Sequence, residues 1–334
     1  MAASSVGCCN DASLPANISY AGMTASRPPV SILIDTDPGI DDVVALSLAA
    51  RSPELDVAGI TTTYGNATLA AATRNARAVL ALLEKPIPIY PGSERPLERP
   101  LVTAPETHGP TGVGYAPVCR EDLVTPNPTV LLDLLEWSEQ PVTLVTLGPL
   151  TNLAHALSVG PDLVRSRVRR HIGMFGSLHE QGNTNRWADF NAWADPEAVD
   201  IVLRAGLPTV MVGLDITRRM ELSAAQVEHF ATSSDPLTAW LAKALRFYVN
   251  FHSSPQDGLD GCVVHDVLPL GELIEPGLLT LAQVSLAVNL EEGAHRGHTM
   301  EDPAGTPNQV ALDVDMARMR ALLARVFGEE LQSC

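Results

Sequence analysis

Short unbroken apolar runs alternate along this chain with longer stretches whose apolar residues recur every third or fourth position. The runs predict buried strands, and the periodic stretches predict helices packed on one face. Strands are predicted at Val30 to Ile34, Val57 to Thr62, Ile87 to Tyr90, Val142 to Leu147, Arg169 to Phe175 and Thr209 to Leu214. Helices are predicted between them at Val43 to Ala49, Leu69 to Leu83, Leu150 to Leu157 and Pro196 to Leu203. Repeated strand-then-helix units predict the α/β class, an open, mostly parallel sheet with helices on both faces. After about residue 220 the alternation loosens. There the pattern predicts an aromatic-bearing helix at Leu237 to Phe251 and a polar loop at Ser253 to Gly261. Strands at Leu279 to Leu290 and Val310 to Val314 and a closing helix at Met316 to Phe327 complete it.

Residues 1–28 are small and polar, without either period, and read as a disordered extension before one domain at 29–330. The Pro- and Gly-rich stretch from Pro91 to Pro128 is too long to be a plain connection, so a role at a site is expected of it. The net charge of −17 disfavours nucleic acid and anionic membranes as partners. An aromatic content of only 4% argues further against a protein that stacks bases of a single strand. Five scattered cysteines (Cys8, Cys9, Cys119, Cys262, Cys334) fit neither a disulfide framework nor a zinc site. With no signal-peptide pattern and no apolar run of membrane-spanning length, the expectation is a soluble, cytoplasmic protein.

The strongest chemical signal is Asp35-Thr36-Asp37-Pro38-Gly39-Ile40-Asp41-Asp42, four carboxylates in eight residues directly after a buried strand. Strand ends face the ligand crevice in such sheets, so these acids are expected to line it. Asp37 before Pro38 also suits a helix cap, but capping uses one or two acids and not four. Four close anions repel unless a cation joins them or some hold protons. An all-oxygen set selects a hard cation, Ca²⁺ or Mg²⁺.

Three weaker signals follow. His265-Asp266 pairs an imidazole with a carboxylate before an apolar helix, Gly182 to Asn191 is dense in amides, and Tyr64-Gly65-Asn66 ends a predicted strand. Gly109, Gly112 and Gly114 have the wrong order for a nucleotide loop, and Arg165, Arg167, Arg169 and Arg170 read as a solvated face.

Taken with Thr62-Thr63-Tyr64-Gly65-Asn66, His108-Gly109, Gly148-Pro149-Leu150-Thr151-Asn152, Asp189-Phe190-Asn191, Asp195-Pro196-Glu197-Ala198 and His265-Asp266, the acidic signature resembles the inosine-uridine preferring nucleoside hydrolases. The motifs stand in the family's order across roughly residues 30–328. The resemblance implies Ca²⁺-dependent hydrolysis of the N-glycosidic bond of ribonucleosides by a homodimer or homotetramer. It implies a metal held by Asp37, Asp42, Asp266 and the backbone carbonyl of Leu147, with Asp35 behind them. Asp37 is then the base for the attacking water. Asp41, Asn66, Asn183, Asp189 and Asn191 are the ribose set, and His265 is the acid for the leaving base. His108 and Tyr248 are further candidates on the base side.

Bottom-up chemistry agrees with that assignment. Carboxylates stabilise an oxocarbenium-like state, and a histidine titrating near neutrality is matched to protonate a departing base.

The chain departs from the family in three places. Asp189 replaces the usual Glu, Met174-Phe175-Gly176 replaces Met-Gly-Gly with one extra residue before Asn183, and Thr111 replaces the Asp often found after His-Gly. Asp189 motivates a rival reading, a nucleoside-binding protein with little turnover. A phosphatase using Asp35 as nucleophile is a third, but the only lysines, Lys85 and Lys243, stand in no supporting motif.

Overall fold

The computed structural model describes residues 27–120, 123–253 and 258–328. Eleven strands form: β1 (Val30–Thr36), β2 (Leu55–Thr62), β3 (Ile89–Pro91), β4 (Val142–Thr146), β5 (Val168–Met174), β6 (Thr209–Val212), β7 (Glu221–Ser223), β8 (Gly261–Val263), β9 (Leu279–Val288), β10 (Thr299–Glu301) and β11 (Thr306–Val314). Nine of them make one sheet in the order β10-β9-β11-β6-β5-β4-β1-β2-β3. The run from β11 to β3 is parallel, and β9 lies antiparallel between β11 and β10. β7 and β8 pair separately as a short antiparallel ladder.

The unbroken apolar runs follow from burial on both faces. On β1, Ile32 and Ile34 pack into one core with the helices Ile40–Arg51, Leu69–Leu82, Pro236–His252, Val267–Ile274 and Met316–Phe327. Leu33 between them points to the other core, under Val130–Trp137, Thr151–Val159, Pro161–Arg167 and Pro196–Arg204. β6 repeats the alternation, with Val210 and Val212 on one side and Met211 on the other.

From β1 the chain builds outward to β2 and β3, then crosses back and builds the other way through β4, β5 and β6. The gap between the ends of β1 and β4 is therefore a topological switch point, where open parallel sheets bind ligands. The acidic segment leaves β1 there, and Leu147 leaves β4 there.

The predicted strands and helices all form, with ends shifted by a few residues. One shift matters: the first helix begins at Ile40, so Asp41 and Asp42 lie in its first turn, and Gly39 is its cap in place of Asp37. Within 91–128 the described residues hold only the short helix Pro105–His108. Arg165 pairs with Asp162 at the surface (3.1 Å), whereas Arg170 reaches inward to Glu272 (3.5 Å). The expected extension lies outside the described residues except for Arg27 and Pro28, as do Cys8, Cys9 and Cys334. Cys119 and Cys262 are both unpaired. Among the described residues no helix is long and apolar enough to cross a membrane.

Candidate active site

The turn from β1 into the helix Ile40–Arg51 gathers its acids in the interior, where Asp35, Asp37, Asp41 and Asp42 are all buried. Asp42 is held firmly. Thr36 Oγ1 donates to its Oδ1, and the Gly39 amide (2.9 Å) and Asn66 Nδ2 (2.8 Å) donate to its Oδ2. Asp37 Oδ2 accepts from the Asn66 amide at 2.7 Å. Asp37 Oδ1 and Asp41 Oδ1 are buried with no hydrogen-bond partner among the described residues. Gly65 and Gly148 approach Asp37 so closely that a Cβ on either would overlap its carboxylate. Behind it, Asp35 Oδ1 accepts from Thr61 Oγ1 (2.5 Å) and Asn152 Nδ2 (2.7 Å).

Asp266 arrives from far along the chain, at the start of the helix Val267–Ile274, and its side chain does not cap that helix. Carboxylate oxygens of Asp41, Asp42 and Asp266 lie within 4.8 Å of one another. Two full charges at that spacing repel by about 3.5 kcal/mol at an effective dielectric of about 20. Burial, followed by neighbouring carboxylates, pushes Asp37 and Asp266 well above the usual carboxylate range and lifts Asp41 to about 8. Burial also raises Asp42, and it raises Asp35 to about 6. A cluster of this kind sheds charge by holding protons or a cation. It fits a hard cation, because every donor is a carboxylate oxygen and two buried oxygens have lone pairs that no described hydrogen bond uses.

The structure differs in detail from the sequence assignment. Asp41, expected on the ribose, is grouped with Asp42 and Asp266, and that group does not include Asp37. The Leu147 carbonyl, expected on the metal, accepts from Asn191 Nδ2 at 2.7 Å.

A cavity of about 260 Å³ adjoins the cluster. That is just under the usual ~300–1,000 Å³ of ligand pockets, which fits a small ligand and not a polymer. Asp41, Asn66, His108, Leu147, Asn183, Asp189, Asn191, Tyr248, His265 and Asp266 all line it, although they come from seven separate parts of the chain. Asp35, Asp37 and Asp42 are not among the lining residues. His108 comes from the Pro-rich stretch, whose expected role at a site is thereby explained. The lining also includes Glu106, Phe251 and His252, which sequence reading missed. His252 had one available signal: it follows Tyr248 by one helical turn, and their rings meet at 4.6 Å.

His108 Nδ1 accepts from the Ile40 amide at 3.0 Å, so the neutral ring carries its proton on Nε2. His265 Nδ1 pairs with Thr217 Oγ1 at 2.9 Å, leaving Nε2 for the cavity. His265 does not keep the near-neutral pKa expected of it. Burial, and then His252, Arg218 and His108 nearby, hold it down to about 3; burial and His252 do the same to His108. Both rings are uncharged at neutral pH.

The amide-rich segment supplies the remaining wall. Asn183 is exposed, and its Oδ1 accepts from the Phe190 amide at 2.8 Å. Asn191 Nδ2 donates to both Leu147 O and Met174 O (2.7 and 2.9 Å), joining the ends of β4 and β5. Asp189, expected on a ribose hydroxyl, lines the cavity and caps the helix Phe190–Ala194.

The sequence profile described as "Inosine-uridine preferring nucleoside hydrolase" matches residues 32–321. The chain belongs to that family. Among curated nucleoside hydrolases, the Pyrimidine-specific ribonucleoside hydrolase RihA of Salmonella agona (strain SL483) is 36% identical over 303 residues, covering 88% of this chain and 96% of that one. Among solved nucleoside hydrolase structures, the Purine-Preferring Ribonucleoside Hydrolase from Gardnerella vaginalis superposes with a TM-score of 0.82 at 29% identity, covering 91% of this chain and 100% of that one. A plant nucleoside hydrolase, the PpNRh1 enzyme, gives 0.80 at 32% identity, with 92% and 100% coverage. The names of these nucleoside hydrolases span both base classes.

Proposed function

We propose that this chain is a Ca²⁺-dependent ribonucleoside N-ribohydrolase that releases ribose and a free purine or pyrimidine base. The observation that carries this reading is the buried carboxylate cluster, with two unpartnered oxygens, beside a small-ligand cavity at the switch point. Asp37, Asp41, Asp42 and Asp266, with the Leu147 carbonyl beside them, would hold the cation, and Asp35 supports them from behind. When bound, such a cation orients the ribose diol and makes water a better nucleophile.

The chain's own groups supply the rest. Asp37 is anchored through Oδ2, and its unpartnered Oδ1 takes the proton from the attacking water. The buried carboxylates favour the positive charge that grows on the ribose as the glycosidic bond lengthens. Asn66, Asn183 and Asn191 position the sugar. His265, fixed through Thr217, presents Nε2 to the leaving base, and His108 and Tyr248 shape the same side.

Assaying reducing sugar released from uridine, cytidine, inosine and adenosine tests this reading. Ribose from at least one of them is expected. Binding of nucleosides with no ribose released would replace the enzyme by the nucleoside-binding reading, and phosphate released from phosphomonoesters would favour the phosphatase. The ribose site also predicts a loss of about 10²-fold or more in kcat/KM for 2′-deoxynucleosides, because a missing hydroxyl leaves buried polar groups unpaired. Equal turnover of thymidine and uridine would contradict it.

A further inference from the structure

Asp189 stands where the family usually has Glu, and the loop it contacts, Met174-Phe175-Gly176, is the family's second departure. The two meet at one hydrogen bond. The Gly176 amide donates to Asp189 Oδ1 at 2.7 Å. Gly176 has a φ of +82°, a left-handed turn at which a Cβ would press on Met211 and Thr299. That turn brings the amide round to the carboxylate. The Ala192 amide donates to the same oxygen at 2.9 Å, and the Asn191 amide donates to Oδ2 at 3.1 Å. Both oxygens thus accept from backbone amides, Oδ1 from two and Oδ2 from one, and the residue, at the cavity wall, is only 1% exposed.

We infer that Asp189 is a positioning residue that does not bind ribose: it pins Asn191, and through Asn191 the ends of β4 and β5, while Asn183 meets the sugar on that wall. The inference rests on the hydrolase reading for its substrate but not for its geometry. The shorter acid fits this work. An N-cap carboxylate must reach amides two and three residues ahead, and the extra methylene of Glu carries the oxygens past them. Asn183 has the opposite character: it is exposed, lines the cavity, and among the described residues its side chain bonds through Oδ1 and not the amide nitrogen.

Two measurements on Asp189→Ala, Asp189→Asn and Asp189→Glu test this, and each reads something the other does not. The first is amide hydrogen exchange of the folded protein without substrate. Asp189→Ala and Asp189→Glu should speed exchange at Gly176, Asn191 and Ala192 together by about tenfold or more, and Asp189→Asn, which keeps the Oδ1 acceptor, by less. Unchanged protection at these three amides would overturn the inference. The second is kcat/KM on uridine and on its 2′-, 3′- and 5′-deoxy analogues. A positioning residue lowers all four by one common factor, within about threefold, with the loss in kcat and not in KM, and with Asp189→Asn partly restoring it. If the penalty for one missing hydroxyl vanishes in Asp189→Ala, or if Asp189→Glu equals the parent on every substrate, Asp189 touches the sugar and the inference is wrong. A parent protein that releases no ribose would sink the hydrolase reading alone, and the exchange measurement would still decide the role of Asp189.

Discussion

Asp266 and His265 are adjacent in sequence, yet their tests separate cleanly. Asp266 makes no capping bond and sits among like charges, so Asp266→Asn removes repulsion without changing shape. In the calcium-free protein this variant should be more stable than the parent by about 1–3 kcal/mol in denaturant unfolding, below the full Coulomb figure for two charges at that spacing. It should also lose tightly bound Ca²⁺ and activity together. Normal calcium content in Asp266→Asn would remove this residue from the site.

For His265 the leaving group decides. Held uncharged by its burial, His265 must take up a proton before it can pass one to the base, and in that role His265→Ala should lose about 10²- to 10⁴-fold on inosine. On a nitrophenyl riboside, whose phenolate leaves unaided, the same variant should stay within about tenfold of the parent. Parallel losses on both substrates would mean that His265 supports Asp266 and that His108 serves the base.

Asn152 does for the elements what Asp42 does for the acids. Its Nδ2 donates to Asp35 on β1 (2.7 Å) and its Oδ1 accepts from the Ser93 amide (2.8 Å), so the helix Thr151–Val159 is tied to β1 and to the Pro-rich stretch. Asn152→Ala should cost about 2–4 kcal/mol in urea unfolding with an unchanged m value, since it strips a buried carboxylate and strands a buried amide. A loss under about 0.5 kcal/mol would show that these contacts are not coupled.

This is also the scale at which the sequence was most and least legible. The apolar runs revealed the central strands because burial on both faces leaves no choice of residue there. The acids were legible because four of them after a strand have no ordinary structural use. Helices such as Ala224–Phe230 and Pro161–Arg167 are short and polar on one face, so their periods are too brief to read. Thr217 and His252 reach the site from elements that carry no motif, and only the fold brings them to His265. Asp189 was legible as an acid near an active site, but its commitment to three amides depends on the turn at Gly176, which no sequence pattern announces.

Across the whole molecule, stability should depend on pH through groups buried uncharged. His171, on β5, has both ring nitrogens paired, with Thr146 Oγ1 (2.9 Å) and Thr209 Oγ1 (3.2 Å), and burial holds it down to about 3. Its unfolded value is near 6.5, so between 6.5 and 3 the unfolded chain binds a proton that the folded chain does not. This group is neutral to stability above pH 6.5, and it destabilises the fold increasingly as pH falls below that, by about 1.4 kcal/mol per pH unit. Comparing unfolding free energies of the parent and His171→Gln from pH 7 to 4 isolates it. The variant should fall more gently by that slope, and parallel curves would contradict the account.

The central claim is that the carboxylates at the β1–β4 switch point hold a divalent cation on which ribonucleoside hydrolysis depends. The most direct measurement strips the protein with a chelator, then titrates Ca²⁺ while following both bound calcium and ribose released from a nucleoside substrate. The account predicts no ribose release from the stripped protein, recovery saturating at one calcium per chain, and neither binding nor recovery in Asp42→Ala. Full ribose release with the chelator still present and no calcium bound would contradict it.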